Sequence, residues 1–146
     1  MSDNTIRVAK RFKWEAAHRI PGHAGLCRNF HGHSYRMYVE VEGTIGENGM
    51  VMDFHDIKQL VEPLVDQWDH AVLVGANDQE LLDIIRGTDW KHFVFPGDTT
   101  AELIVQYVLD FLTIENGKEL RERGITRISV NVRETETSYA MGAARL

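Results

Sequence analysis

The fold of this 146-residue chain is decided by one stretch, His31-Gly32-His33-Ser34-Tyr35-Arg36-Met37-Tyr38-Val39-Glu40-Val41. Successive side chains of a β-strand point to opposite faces of its sheet. One face of this stretch carries His31, His33, Tyr35, Met37, Val39 and Val41, and the other carries mostly polar side chains. The stretch therefore predicts a half-buried strand with two histidines at the start of its apolar face.

The residues before this strand predict a second strand beside it. Apolar residues of one parity recur over Thr5–Trp14, and continuing the strand places His18 on the same face. The intervening residues 19–30 include one proline and two glycines, which predict a loop. His18 then falls at the end of its strand that mirrors the end carrying His31 and His33.

Two amphipathic helices are predicted further along the chain. The first follows Asp53, whose carboxylate can cap a helix, and helical spacing of apolar residues continues to Trp68. Pro63 lies inside this run and is expected to kink the helix or shorten its run of hydrogen bonds. The second helix begins at the capping-box sequence Thr99-Thr100-Ala101-Glu102, in which Thr99 is the cap and Glu102 bonds back to it.

A last strand is predicted from Ile125 to about Thr135, and Glu134 shares the parity of its inward-facing Ile and Val residues. Between the two helices only weak signals occur, for a helical turn over residues 77–85 and a short strand over residues 90–95. Strands and helices do not alternate regularly. The order therefore favours an α+β domain, with an antiparallel sheet and helices on one face.

Composition argues against several classes of function. Hydrophobic residues make up 43% and charged residues 26% of the chain, and we expect one domain over residues 1–146. The net charge is −6 and no dense run of Lys and Arg occurs, so nucleic-acid binding is not expected. No apolar run approaches the roughly 20 residues of a membrane helix. Met1–Lys13 lacks a hydrophobic signal core and the chain has one cysteine, so we expect a cytoplasmic protein.

Three histidines form the strongest chemical signal. His18, His31 and His33 are expected at the same rim of a two-stranded ribbon, where their imidazoles could hold one metal ion. Three protein ligands leave one position of a tetrahedral Zn²⁺ open, which is the catalytic arrangement. The alternative is a set of three ordinary core histidines that hydrogen-bond within the protein.

Cys27, Asp69 and His70 are candidates for proton transfer. Cys27 lies in the predicted loop beside Arg28, and positive neighbours favour the thiolate, which acts as a base or nucleophile. Asp69 could orient the His70 imidazole in a proton relay. The alternatives are a small buried hydrophobic cysteine and an ordinary loop, because spacing alone does not bring these residues together.

Glu134 is expected on the apolar face of the last strand, where a carboxylate needs a partner. It could accept two parallel hydrogen bonds from the amino-pyrimidinone edge of a pterin or guanine. The alternative is a salt bridge to Arg133 or Arg145. Glu102 is explained by its capping role, and His23, His55 and His92 show no partners in the sequence and are expected to be solvated.

These motifs together resemble those of the 6-pyruvoyl-tetrahydropterin synthase family over about residues 5–141. The matching segments are Trp14–His18, Cys27–His33, Asp53-Phe54, Asp69-His70, Thr99–Glu102 and Arg133–Thr135. The three-residue gap between Cys27 and His31 is similar to that of the bacterial 6-carboxytetrahydropterin synthases of queuosine biosynthesis. Two features depart from the family pattern, namely a longer segment over residues 75–95 and a Trp at position 68 where Leu is commoner.

The resemblance implies a T-fold, or tunnelling fold, with a four-stranded antiparallel sheet and two helices on one face. It implies Zn²⁺ bound by His18, His31 and His33, and a pterin anchored by Glu134. It also implies proton transfer by Cys27, Asp69 and His70 in a zinc-dependent lyase.

The implied substrate is 7,8-dihydroneopterin triphosphate, and the implied products are 6-carboxy-5,6,7,8-tetrahydropterin, acetaldehyde and triphosphate. The alternatives are the 6-pyruvoyl-forming reaction and a non-catalytic zinc- or pterin-binding module. The implied assembly is a homo-oligomer, a trimer or a dimer of trimers, with active sites between subunits.

Overall fold

A long hairpin forms the centre of the sheet. The computed structural model describes residues 4–146, so residues 1–3 of the N-terminal segment considered above lie outside it. Strands β1 (Ile6–His18) and β2 (His31–Gly43) pair antiparallel along their whole length, and His18 lies opposite His31. This register confirms the predicted hairpin and brings the histidines to one end of it.

Two further strands complete an antiparallel unit. β5 (Ile125–Arg133) pairs with β2, and β6 (Tyr139–Arg145) pairs with β5 on its other side. β6 was not predicted because its sequence of small residues, Tyr-Ala-Met-Gly-Ala-Ala-Arg, has no apolar alternation. Gly142 allows close packing on this strand, because a Cβ atom there would lie only 2.9 Å from a methyl carbon of Val105.

Within residues 4–146 the sheet has six strands, where the family resemblance implied four. β3 (Ala71–Gly75) pairs parallel to β1, and β4 (His92–Phe95) pairs parallel to β3, which gives the order β4-β3-β1-β2-β5-β6. β3 was missed because all five of its residues are buried, and a strand covered on both faces lacks alternation. The longer 75–95 segment therefore supplies one helix and the edge strand β4, which extends the sheet beyond β3.

In the described part of the chain four α-helices connect the strands: α1 (Phe54–Trp68), α2 (Gln79–Arg86), α3 (Ala101–Asp110) and α4 (Gly117–Glu122). A π-helical turn over Phe111–Glu115 joins the last two. Asp53 caps α1 by accepting a hydrogen bond from His55 N at 2.8 Å, as predicted, and α1 continues through Pro63 without ending there. α3 is capped by Thr100, so the predicted cap at Thr99 is wrong by one residue.

The core lies between one face of the sheet and helices α1 and α3, which confirms two main helices on one face. Trp14 stacks on Tyr35 with ring centroids 5.0 Å apart, and Trp68 of α1 packs on Trp14 at 5.1 Å. All three rings are buried. This aromatic group lies directly inside the histidine end of the hairpin, because Tyr35 contacts the rings of both His18 and His33. These closely packed rings lie beneath the histidines and restrict their movement.

Candidate active site

Three imidazoles converge at the end of the β1–β2 hairpin. The ligand nitrogen atoms offered by His18, His31 and His33 all lie within 4.8 Å of one another. His18 is buried, and the other two are half-buried. The alternation of the two strands puts them on the core face of the sheet, and the register His18–His31 brings them to the same rim.

The imidazoles of His18 and His31 are each oriented through their Nδ1 atoms. Nδ1 of His18 lies 3.0 Å from the carbonyl oxygen of Thr99 and 3.1 Å from its hydroxyl. Nδ1 of His31 lies 2.7 Å from the carbonyl oxygen of Asn29. A carbonyl oxygen accepts only from a protonated nitrogen, so both rings carry a proton on Nδ1. Nε2 is then the nitrogen of each ring that could bind a metal. Metal-binding histidines are held by carbonyl partners in this way.

The unpaired nitrogen atoms fit a metal ion better than a core of satisfied histidines. Nε2 of His18 and Nε2 of His33 are both buried and have no hydrogen-bond partner within residues 4–146. Burial, reinforced by His31, lowers the pKa of His18 to about 4, and the same two causes lower the pKa of His33. Both rings are therefore neutral at physiological pH, the form that binds a metal.

Glu134 lies at the edge of this group. It directly follows β5, and its carboxylate Oε2 is 3.9 Å from Nε2 of His33. Burial, together with the charge of Glu102, raises its pKa, while His31 acts in the opposite direction. Within the described chain Glu134 forms no salt bridge with Arg133 or Arg145. Its carboxylate is therefore not neutralised by an arginine and remains available to a ligand.

Asp69 and His70 form a tight pair at the other edge of the hairpin. The carboxylate Oδ1 of Asp69 lies 3.1 Å from Nδ1 of His70 and also accepts a hydrogen bond from Glu15 N at 3.0 Å. This backbone bond is the main cause that lowers the pKa of Asp69. His70 has φ of 59°, and it is the one non-glycine residue with positive φ within residues 4–146. Such backbone strain is typical of functional positions.

His70 and His33 line one open cavity of about 570 Å³, which also includes Trp90 and Lys91. The His70 side chain is mostly exposed to this space. The structure thus brings the Asp69–His70 pair to the same cavity as one histidine of the triad. The sequence alone did not relate these positions.

Cys27 lies in a short 3₁₀ turn, Leu26–Arg28, within the loop between β1 and β2. It is a free, half-buried cysteine, and its carbonyl oxygen accepts a hydrogen bond from Ile20 N at 2.8 Å. Within the described residues of one chain, no hydrogen bond or ion pair joins Cys27 to Asp69 or His70. The structure therefore places Cys27 at the hairpin end but does not bring it to the relay.

Three supporting residues were missed from the sequence. Thr99 is fully buried and holds His18, although it was assigned to helix capping. Lys91 donates through Nζ to the carbonyl oxygens of Asp66 and Asp69, both at 2.6 Å, and so holds the turn that carries His70. Arg19 forms a two-bond fork with Asp78 at 2.6 and 2.8 Å at the base of the Cys27 loop. Each acts across a large sequence separation, so no local pattern marks it.

The site and the sheet define a class: a T-fold protein with a tri-histidine centre. A family model described as 6-pyruvoyl tetrahydropterin synthase matches residues 7–143. Among solved structures, a catalytic-residue mutant of 6-pyruvoyltetrahydropterin synthase from Plasmodium vivax is similar with a TM-score of 0.80 and 20% identity, over 99% of this chain and 100% of that one. The enzyme from Plasmodium falciparum has a TM-score of 0.79 and 21% identity over the same shares.

Curated relatives are similar over nearly the whole chain. The 6-carboxy-5,6,7,8-tetrahydropterin synthase of Haemophilus influenzae is 30% identical over 92% of this chain and 96% of its own length. The enzyme of the same name from Synechocystis is 36% identical over 91% of this chain and 89% of its own length. The chain belongs to the 6-pyruvoyl tetrahydropterin synthase family and is a pterin synthase.

No helix within residues 4–146 combines the length and apolar character needed to cross a membrane.

Proposed function

We propose that this protein is a zinc-dependent 6-carboxytetrahydropterin synthase of queuosine biosynthesis. Its substrate would be 7,8-dihydroneopterin triphosphate, and its products 6-carboxy-5,6,7,8-tetrahydropterin, acetaldehyde and triphosphate. The observation that carries the proposal is the convergence of three histidine nitrogens beside the unneutralised carboxylate of Glu134. The curated relatives that bear the 6-carboxy name support this product over the 6-pyruvoyl one.

His18, His31 and His33 would hold Zn²⁺ through nitrogen atoms that lack protein partners. Bound there, the ion would polarise the side-chain hydroxyls of the substrate and stabilise negative charge that develops on oxygen. The carbonyls of Thr99 and Asn29 would keep two of the rings in the correct tautomer.

Glu134 would orient the pterin by accepting two hydrogen bonds from its amino-pyrimidinone edge. Because its carboxylate lies 3.9 Å from Nε2 of His33, Glu134 would hold the pterin ring beside the metal. Binding of the pterin would thereby orient the substrate side chain for reaction. Cys27, as thiolate, would remove a proton bound to carbon. His70, oriented by Asp69, would return or relay protons.

The proposed assembly is a trimer or a dimer of trimers. Two observations support an active site shared between chains: Cys27 does not bond to the Asp69–His70 pair within one described chain, and the edge strand β6 leaves Tyr139 and Met141 exposed. Exposed edge strands are the positions where chains add to one another. The free Cys27 supports a cytoplasmic location.

The decisive experiment is incubation of the zinc-loaded protein with 7,8-dihydroneopterin triphosphate, with products identified by mass spectrometry. Formation of 6-carboxytetrahydropterin and acetaldehyde is expected. Formation of 6-pyruvoyltetrahydropterin would assign the alternative reaction, which keeps the same residue roles. Tight binding of zinc and pterin without turnover would indicate a non-catalytic binding module. Protein purified without stoichiometric zinc would contradict the metal assignment.

A further inference from the structure

Strands β1, β2 and β5 are rich in cations on the face opposite helices α1 and α3, although the chain has a net charge of −6. The pairing registers of β1, β2 and β5 put six cations on this face: Arg7, Arg11, Lys13, Arg36, Arg127 and Arg133. The same strands contribute only Glu15, Glu40 and Glu42 to it. We call this side of β1, β2 and β5 the open face; it lies away from the main core, and α2 covers the same side of the sheet only at β3.

At one end of the open face the charges alternate in sign. Arg7 lies opposite Glu42 and Glu42 lies opposite Arg127, and Arg7 Nε donates to Glu42 at 3.0 Å. Opposite charges in directly facing strand positions stabilise a sheet. This row is explained by the stability of the sheet alone.

The row near the histidine site is different. Lys13 lies directly opposite Arg36, and Arg36 lies directly opposite Arg133, so three cations follow one another across three strands. Within residues 4–146 none of the three forms a salt bridge with a carboxylate. Like charges in facing positions destabilise a sheet, so this arrangement lowers the stability of the free protein. We call these three residues the basic row.

Arg133 is held in place without its charge being satisfied. Its guanidinium carbon lies 5.1 Å from the ring centroid of Tyr139 and 5.7 Å from that of Tyr38. Its Nε atom is buried and has no hydrogen-bond partner in the described chain. The two rings thus position the guanidinium, and its Nη atoms form no hydrogen bond within residues 4–146, so they can donate to a ligand.

Two residues of the basic row, Arg36 and Arg133, reach the candidate active site, and Lys13 lies beside Arg36 on the neighbouring strand. A cavity of about 410 Å³ is lined by Arg36 and Arg133 together with His33 and Glu134. Neighbouring strands lie about 4.8 Å apart, so three cations in a row span about 10 Å. Three such charges within that length match a short chain of linked phosphates, which arginine binds through paired hydrogen bonds.

We propose that Lys13, Arg36 and Arg133 bind the triphosphate group of the substrate. The identity of that substrate rests on the proposed function, whereas the affinity for a triphosphate group does not. The pterin would be held at Glu134 and the phosphates at the basic row, with the reacting side chain between them beside the histidines.

The test uses inorganic triphosphate as the probe and the full chain as purified, with binding measured by isothermal titration calorimetry. Wild-type protein is expected to bind triphosphate more tightly than monophosphate, and more weakly as salt rises. Arg36→Ala and Lys13→Ala are each expected to weaken triphosphate binding at least about tenfold, because each removes a charged hydrogen-bond donor. Lys58→Ala, which removes an exposed cation of α1 that pairs with Glu62, is the matched control and is expected to change nothing.

A purely structural role of the row would give a different result. The free Lys13→Ala and Arg36→Ala proteins are expected to melt at the same or a higher temperature than wild type, since like-charge repulsion is relieved. Triphosphate is expected to raise the melting temperature of wild type but not of these variants. Equal binding of mono- and triphosphate, or an equal loss in Lys58→Ala, would overturn the proposal. Tighter binding of a single-stranded oligonucleotide that displaces triphosphate would overturn it too and assign the face to nucleic acid.

The outcome is separable from that of the proposed function. If triphosphate binds at the basic row and 7,8-dihydroneopterin triphosphate is not converted, the proposed function fails and the triphosphate site stands. If the substrate is converted and Arg36→Ala leaves its KM unchanged, the triphosphate site fails and the proposed function stands.

Discussion

Nδ1 of His18 donates a hydrogen bond to the carbonyl oxygen of Thr99 over 3.0 Å, across 81 residues of sequence. This contact joins the end of β1 to the residue that precedes the cap of α3. It fixes the tautomer that leaves Nε2 free, and so links the packing of a helix to the chemistry of the triad.

Thr99→Val is expected to weaken zinc affinity by up to about tenfold, because the hydroxyl 3.1 Å from His18 Nδ1 is lost while the backbone carbonyl remains. Competition with a chelator measures the change. Thr100→Val is the matched control: it removes the cap of α3, costs about 1 kcal/mol of stability and leaves zinc affinity unchanged. An equal loss of zinc affinity in both variants would show that zinc binding depends on the stability of the start of α3 and not on the contact between Thr99 and His18.

The metal-free protein is expected to lose stability as the pH falls from 6.5 to 4. The pKa of His18 is about 4 in the folded chain and 6.5 in its ordinary state. Between these values the unfolded chain binds the proton first, so the free energy of unfolding decreases by up to about 3 kcal/mol. His33, whose pKa is also lowered by burial, acts in the same direction.

Urea unfolding across this pH range measures that dependence. His18→Gln is expected to have a flatter dependence on pH than wild type, whatever its stability at neutral pH. Parallel curves for the two proteins would mean that His18 does not titrate in this way.

Cys27→Ala is expected to reduce turnover by about 10²- to 10⁴-fold, the usual contribution of a general base. The half-buried thiol lies outside the histidine triad, so zinc content and pterin binding should remain. Steady-state kinetics, metal analysis and fluorescence titration with a pterin separate these effects. A variant that keeps the wild-type rate would remove Cys27 from the mechanism.

Arg19→Lys is expected to loosen the loop that carries Cys27. Lysine keeps the charge but cannot form the two-bond fork to Asp78, so about 1–2 kcal/mol of stability is lost. The rate of Cys27 alkylation by iodoacetamide is expected to rise. Arg86→Lys is the control, because Arg86 pairs with Asp83 on the surface and such pairs contribute little. If Cys27 reacts equally fast in wild type and Arg19→Lys, the fork does not position the loop.

Local patterns predicted the hairpin and the triad. The period of two along β1 and β2 is set by residues next to one another, and strands that are consecutive in the sequence usually pair with each other. Once the apolar face was identified, His18, His31 and His33 had to meet at one end. The role of Asp53 as the cap of α1 was likewise predictable from the sequence, because capping involves residues within one helical turn.

Long-range contacts account for what the sequence did not reveal. β3 pairs parallel to β1 across more than fifty residues, and Thr99, Lys91 and Arg19 act on parts of the chain that are remote in sequence. The cap of α3 was placed one residue early because both Thr99 and Thr100 suit that role. Tertiary packing assigned the cap to Thr100 and gave Thr99 to His18.

Charge shows the same limit. Lys13, Arg36 and Arg133 lie on three different strands, so no run of cations marks them in the sequence, and strand register brings them opposite one another. By itself, the sequence determined the strand periods, the helix starts and the residue types able to bind a metal, because these depend on near neighbours. Only the tertiary structure decided which nitrogens remain unpaired and which cations face one another, because strand register and burial are properties of the folded chain.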